Sequence, residues 1–168
     1  IEKNAFFSCS KLEKIDFENR EKTIFIEPDA FSCCPFSNID CPHNVEFGDR
    51  SSRYARNLKT LTFTGPGEIK KENILKFLPC GVPGVFFRHN IEKLFGKKDS
   101  MKIDDKLTID LWAGCLHEDG TLDLSSFDME TFKTLRFASN DCVKKVIWPQ
   151  GIDVIPEEMF SECGSLEE

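Results

Sequence analysis

An internal repeat constrains this chain more than any other feature. One pattern of apolar residues near the start recurs at identical spacing near the end, and a further copy follows the first. In that copy the cysteine position is filled by Cys33, one residue early, or by its neighbour Cys34. A unit this short cannot bury its own apolar side, so the copies are expected to stack on one another. The copies read Ile1-x-x-x-Ala5-Phe6-x-x-Cys9-x-x-Leu12-x-x-Ile15-x-Phe17, Ile26-x-x-x-Ala30-Phe31-x-Cys33-x-x-Phe36-x-x-Ile39-x-Cys41-Pro42 and Ile155-x-x-x-Met159-Phe160-x-x-Cys163-x-x-Leu166.

The second half of the unit recurs more often than the first, and it predicts a short β-strand. Its form is apolar-x-x-apolar-x-apolar, and the last two apolar residues are two apart, which is the side-chain period of a strand. One such strand per unit would build a parallel sheet along a curved solenoid. The pattern occurs as Leu12/Ile15/Phe17, Phe36/Ile39/Cys41, Leu58/Leu61/Phe63, Phe132/Leu135/Phe137 and Val143/Val146/Trp148.

These copies resemble the BspA-like (Treponema-type) leucine-rich repeat family. The matching stretches are IEKNAFFSCSKLEKIDF, IEPDAFSCCPFSNIDCP and VKKVIWPQGIDVIPEEMFSECGSLEE, which lie within residues 1–42 and 143–168. The step of 24 residues from Ile15 to Ile39 is within the range that leucine-rich repeats use. The resemblance implies an α/β leucine-rich-repeat solenoid, with short parallel strands on the concave face and irregular or short helical convex segments.

The repeat is much weaker between residues 64 and 131. We therefore divide a single solenoid into regular repeats at 1–63 and 132–168, with diverged repeats between them; an inserted domain is the alternative. In this middle part the patterns predict a helix from Glu68 to Leu78, a helical turn at 91–95, and strands at 107–111 and 122–124. Because the pattern starts and stops in mid-unit, we expect the chain to be a fragment of a longer array.

The composition favours a globular chain that binds neither nucleic acid nor an anionic membrane. Lys and Arg number 22 against 29 Asp and Glu, for a net charge of −7, whereas phosphate binding needs a concentrated basic face. No apolar stretch approaches the roughly 20 residues that cross a bilayer, so we expect no membrane insertion. Sixteen Phe against one Tyr indicate aromatic rings that fill an interior, because Phe has no polar group to hydrate.

The eight cysteines are expected to be mostly buried free thiols. No C-x-x-C pair occurs, so a disulfide framework or a zinc site has little support. The nearest approach to a zinc pattern is Cys33, Cys34, Cys41 and His43. We expect no metal and no cofactor.

One segment resembles an active site more than the rest of the chain. In the segment from Asp110 to Gly120, Cys115, His117 and two carboxylates lie within five residues, and a cysteine nucleophile needs a neighbouring base. A cysteine-dependent ligase or transferase is therefore an alternative function. No oxyanion hole accompanies these residues, and we expect a buried cysteine followed by a polar turn in a chain that is not an enzyme.

The predicted function is binding of another protein through the concave sheet. Its outward strand positions are acidic toward the N-terminus and basic toward the C-terminus. A structural spacer is the alternative, and the resemblance implies a surface or secreted adhesin or host-contact protein, whereas free thiols favour the cytoplasm. The expected binding residues are Lys14, Asp16, Asn38, Asp40, Thr60, Thr62, Thr134, Arg136, Lys145 and Ile147.

Overall fold

The regular elements are short, and they form several small sheets rather than one large one. The computed structural model describes residues 1–17, 21–49, 51, 55–77 and 82–167. The strands are β1 (Ile24–Ile26), β2 (Asn38–Pro42), β3 (Val45–Phe47), β4 (Thr60–Thr64), β5 (Gly67–Lys70), β6 (Ser100–Ile103), β7 (Lys106–Asp110), β8 (Thr121–Asp123) and β9 (Lys145–Ile147). The helices are α1 (Lys71–Phe77), α2 (Gly84–Phe95) and α3 (Met129–Thr134).

Strands from successive repeats pair in parallel, as their spacing predicts. Ile39 of β2 lies opposite Leu61 of β4, and these residues occupy the same place in the sequence pattern. The pairs β1–β3 and β8–β9 are also parallel. The parallel pairing predicted for the strands at Ile39 and Leu61 is therefore confirmed, whereas β1 and β3 are strands that the repeat pattern did not predict. The predicted strand at Ile15 and Phe17 is wrong in detail, because this segment carries no regular ladder.

The first half of each repeat, here named the Phe–Cys segment (1–9, 26–34 and 155–163), forms irregular turns that stack on each other. The Phe6 and Ser8 N–H groups donate to the carbonyls of Ala30 and Ser32 in the next segment, at 2.9 Å each. The rings of Phe6 and Phe31 stack with centroids 5.5 Å apart. Each segment has two residues with positive φ at the same places, which are Asn4 and Ser8, Asp29 and Cys33, and Glu158 and Glu162.

These backbone positions decide which cysteine belongs to the second copy. Cys33 has φ 62° and is exposed, whereas Cys34 is 2% exposed and donates its thiol to the Phe6 carbonyl at 3.1 Å. Cys163 makes the same bond to the Phe137 carbonyl, also at 3.1 Å. The repeat cysteine is therefore Cys34, and with it the spacing equals that of the first copy.

The bond from Cys163 shows that Phe137 belongs to a fourth Phe–Cys segment, which ends at Asn140, and not to a strand. Its ring stacks on Phe160 at 5.2 Å, as Phe6 stacks on Phe31. The predicted strand at Phe132/Leu135/Phe137 is wrong because Asp128 accepts the Thr131 N–H at 2.8 Å and starts α3. Asn140 then occupies the place that cysteine fills in the other copies.

An antiparallel ribbon interrupts the parallel pattern. Thr60–Thr64 pairs with Lys106–Asp110, and Gly67–Lys70 with Ser100–Ile103, in one continuous register. Between the strands, the Gly65 N–H donates to the Asp105 carbonyl at 2.7 Å. In the sequence, α1 and α2 lie between the outgoing strand β5 and the returning strand β6. The strand predicted at 107–111 is confirmed, but its direction opposes that of the solenoid strands we expected.

Both helices of this part differ from their predictions. Residues 68–70 belong to β5, so α1 begins only at Lys71, and Leu78, Pro79, Cys80 and Gly81 lie outside the described residues. The turn predicted at 91–95 is the end of the longer α2, which buries Phe87, Ile91 and Phe95. Gly84 at the start of α2 gave no helix signal in the sequence.

The core is one continuous apolar cluster that runs through the repeats and the helices. Trp112 belongs to it, and its indole N–H donates to the Leu58 carbonyl at 3.2 Å. Within the described residues, no helix combines the length and the hydropathy that a membrane crossing requires. The predicted interior role of phenylalanine is confirmed for most rings, but not for Phe7 and Phe25, which are 50% and 59% exposed. The rings that are at most 1% exposed are Phe31, Phe36, Phe63, Phe77, Phe87, Phe132 and Phe137.

Candidate functional site

The sheet β2–β4–β7 presents one polar surface, here named the polar face. Ile39, Leu61 and Ile109 point into the core, so the alternate residues of each strand lie on the opposite side. The register aligns Asn38, Thr60 and Asp110 in one row across the three strands. Asp40, Thr62 and Thr108 form the next row. The polar face consists of Asn38, Asp40, Thr60, Thr62, Thr64, Lys106, Thr108 and Asp110.

Hydrogen bonds order the centre of the polar face. The Thr60 hydroxyl donates to Asn38 Oδ1 at 2.6 Å, and the Asn38 amide donates to Asp40 Oδ1 at 2.8 Å. The hydroxyls of Thr62 and Thr108 are 3.1 Å apart. Thr62 is only 2% exposed, so neighbouring side chains cover it almost completely. Short, branched threonine side chains suit such a pleated surface, and their mutual bonds fix their rotamers.

Charged side chains surround one end of the polar face. Lys14 and Asp16 are not on a strand, yet they line a depression of about 150 Å³ together with Asp40, Thr64 and Lys106. The structure therefore brings six of the predicted binding residues together: Lys14, Asp16, Asn38, Asp40, Thr60 and Thr62.

The other four predicted residues lie elsewhere. Thr134 is in α3, where its hydroxyl donates to the Thr131 carbonyl at 2.7 Å. Arg136 Nη1 donates to the carbonyls of Leu135 and Lys133 at 2.7 and 3.0 Å. The prediction that Thr134 and Arg136 lie on a strand is wrong, because Thr134 is the last residue of α3 and Arg136 follows its C-cap, Leu135. Lys145 and Ile147 are on β9, in a separate sheet with β8.

The sequence reasoning missed half of the polar face. Thr64 is on it as the last residue of β4, and Lys106, Thr108 and Asp110 are on it because β7 pairs with β4. The alternation of Leu107, Ile109 and Leu111 did predict a strand. Nothing in that pattern shows which strand it pairs with, or in which direction.

Cys115 has the opposite of the environment that activates a nucleophile. Burial raises the pKa of its thiol, and the carboxylates of Asp123 and Asp110 raise it further. A reactive cysteine has a lowered pKa and a cationic neighbour. The backbone of His117 serves the turn, because its N–H donates to the Thr121 carbonyl at 2.9 Å.

The cysteines and the histidine of the suggested zinc pattern pack in the core or lie in turns. Cys34 and Cys41 are buried, and burial raises the thiol pKa of each. The His43 ring packs on Gly67 so closely that a Cβ there would overlap it. In the described part of the chain, no cluster of three His, Cys, Asp or Glu side chains is placed to hold a metal ion.

Comparison with known sequences gives one match. A family profile described as BspA type Leucine rich repeat region matches residues 1–98 and 118–168, in six copies. The unmatched segment 99–117 contains both returning strands of the antiparallel ribbon, β6 and β7. No curated protein and no solved structure matches the chain significantly.

Proposed function

Because this chain belongs to the BspA-type leucine-rich repeat family, we propose that its repeats form a solenoid that binds a partner protein through the polar face. Proteins of this family are commonly involved in protein interactions or located at surfaces, and they are generally not enzymes. The partner class we favour is a surface protein of another cell, in an adhesion role. That setting rests on the family alone.

The ordered polar face is the observation that carries the proposal. Association costs free energy when side chains lose freedom at an interface. Asn38, Thr60 and Thr62 have already lost that freedom, since they bond to one another. The charged residues beside them add recognition by electrostatic complementarity, which sets specificity and the association rate.

The experiment uses the purified chain as bait for surface-protein extracts, and then measures the affinity for each captured protein after its purification. The variant Asp16→Lys/Asp40→Lys reverses two exposed carboxylates at the polar face. We expect it to weaken binding by about tenfold or more, which corresponds to about 1.4 kcal/mol. Neither side chain is buried, so the fold should remain intact by circular dichroism.

The matched control is Glu118→Lys/Glu157→Lys, which makes the same change in net charge at two exposed positions away from this sheet. We expect its affinity to stay within about twofold of the parent. If both double variants bind with the affinity of the parent chain, the polar face is not the contact. If both lose the partner, the binding responds to net charge alone, and the polar face is again not supported as the contact.

A further inference from the structure

Residues 13–17, here named the strap, run beside β2 without pairing with it. Leu12 and Ile15 pack against the core, whereas Lys14 and Asp16 are exposed, as the alternation of a strand requires. Two depressions, of about 150 and 210 Å³, have residues of both the strap and β2 in their walls. Within the described residues, no backbone hydrogen bond joins positions 13–16 to β2. The strap therefore has the side-chain arrangement of a strand without its ladder.

The edge of β2 that faces the strap has open backbone groups. The Ser37 carbonyl and the His43 N–H both bond to β4, at 3.3 and 3.0 Å, so the odd-numbered residues of β2 direct their backbone groups toward β4. Successive strand residues direct these groups to opposite edges, so Asn38 and Asp40 direct theirs toward the strap. In the part of the chain that the structure describes, the backbone groups of these two residues make no hydrogen bond.

The repeat spacing fixes the register in which the strap can pair. Ile39 lies opposite Leu61 in the β2–β4 ladder. Ile15 occupies the same place in its own unit, 24 residues before Ile39. Pairing in this register aligns Ile15 with Ile39, and it therefore places Asp16 directly beside Asp40.

Two like charges oppose this pairing. Asp16 and Asp40 are both exposed, and like charges directly opposite each other on neighbouring strands are destabilising. Lys14 and Lys106 line the same depression, but among the described residues neither forms an ion pair with these carboxylates. The repulsion between the two carboxylates is therefore not removed by a close cation.

The ladder on the other side of β2 lacks this conflict. There Asp40 lies beside the uncharged Thr62, and the strands pair over five residues. On the strap side, Pro42 also has no N–H group to donate. The strap therefore has fewer bonds to gain from pairing than β4 has, and one repulsion to overcome.

We propose that the strap moves between this open position and a closed one, in which it forms a fourth strand on β2, and that the repulsion between Asp16 and Asp40 holds it open. In the closed position, the N–H groups of Asn38 and Asp40 donate to strap carbonyls. Lys14 then extends the row of Asn38 on the polar face, and Asp16 extends the row of Asp40. The position of the strap thus sets how far the polar face reaches.

Amide hydrogen exchange, followed residue by residue with NMR, tests the proposal on the intact chain without a partner. In the parent chain, the N–H groups of Asn38 and Asp40 should exchange at least about tenfold faster than those of Ile39 and Cys41, which pair with β4. The variant Asp16→Lys replaces the repulsion by an attraction. It should close the strap and slow the exchange at Asn38 and Asp40 by about tenfold.

Two further variants separate the pair from general charge effects. Glu13→Lys makes the same change in charge at an exposed strap position that aligns with the uncharged Ser37. It should leave the exchange at Asn38 within about twofold of the parent. Asp16→Lys/Asp40→Lys restores two like charges, so the exchange at Asn38 should return to the parent rate.

Three results would overturn the proposal. If Asn38 and Asp40 exchange as slowly as Ile39 and Cys41 in the parent chain, the strap is already paired. If Asp16→Lys exchanges at the parent rate, or if the double variant stays as slow as Asp16→Lys, the charges do not hold the strap open. All of these rates are measured without a partner, so this test and the binding test of the polar face fail independently.

Discussion

Asn140 holds the turn that other repeats build with a cysteine, and its loss should be costly. Its side-chain oxygen accepts the N–H groups of Cys142 and Val143, at 2.7 and 3.1 Å. Asn140 is 1% exposed and Val143 is fully buried, so water cannot easily replace the acceptor. The variant Asn140→Ala removes the acceptor and leaves both donors in place.

The size of the effect follows from these two donors. An orphaned buried N–H costs about 1–3 kcal/mol, so two of them give about 2–6 kcal/mol. Partial relaxation of the turn favours a value near 3 kcal/mol. In a chain of this size, 1 kcal/mol changes Tm by about 2–4 °C. We therefore expect Asn140→Ala to lower Tm by about 6–12 °C.

Urea unfolding followed by circular dichroism measures this loss. The midpoint should fall while the m-value stays constant, because the folded chain buries the same surface. Asn57→Ala is the control, since Asn57 is half-buried and its side chain makes no hydrogen bond within the described residues. Its cost should stay below about 0.5 kcal/mol. Equal stability of the two variants would refute the structural role of Asn140.

Two further predictions concern a close contact and a buried thiol. Gly67→Ala should destabilise the chain by about 1–3 kcal/mol, because the new methyl group overlaps the His43 ring. In urea unfolding, the double variant His43→Ala/Gly67→Ala should regain part of the lost stability. A double variant less stable than Gly67→Ala would contradict the overlap as the cause. Burial raises the pKa of Cys142 from 9.0 to about 11, so between these pH values the unfolded chain releases a proton that the folded chain keeps, and the free energy of unfolding falls as pH rises. Cys142→Ala should make that fall shallower in unfolding measured from pH 8 to pH 11, and an unchanged slope would contradict it.

The sequence pattern predicted the features that depend on contacts between adjacent repeats, which are the repeat itself and the pairing of its strands. The matched spacings around Ile1, Ile26 and Ile155 identified the repeat, because each stacked segment must present the same side chains at the same places. The pairing of Ile39 with Leu61 followed from the same spacing. Six of the ten predicted binding residues are grouped around the polar face for this reason.

The failures have two physical causes. The triplet Phe132/Leu135/Phe137 fits a strand by spacing, but the capping oxygen of Asp128 gives those residues a helix and moves Phe137 into a Phe–Cys segment. The direction of β7 depends on contacts between residues far apart in the chain, such as Leu61 and Ile109, which are 48 positions apart. No local pattern carries that information, so Thr108 and Lys106 could not be assigned to the polar face.

The ribbon has a consequence for how such proteins change over time. Thr64 and Lys106 are opposite each other, so the chain between them leaves this sheet and returns to it at one point. The helices in between bury Phe77 and Ile91 in the common core, so a deletion that removes either helix should destabilise the fold. The exposed turn at 96–99 is different, because each doubling of the length of a flexible loop costs only about 0.6 kcal/mol, and insertions can therefore accumulate there.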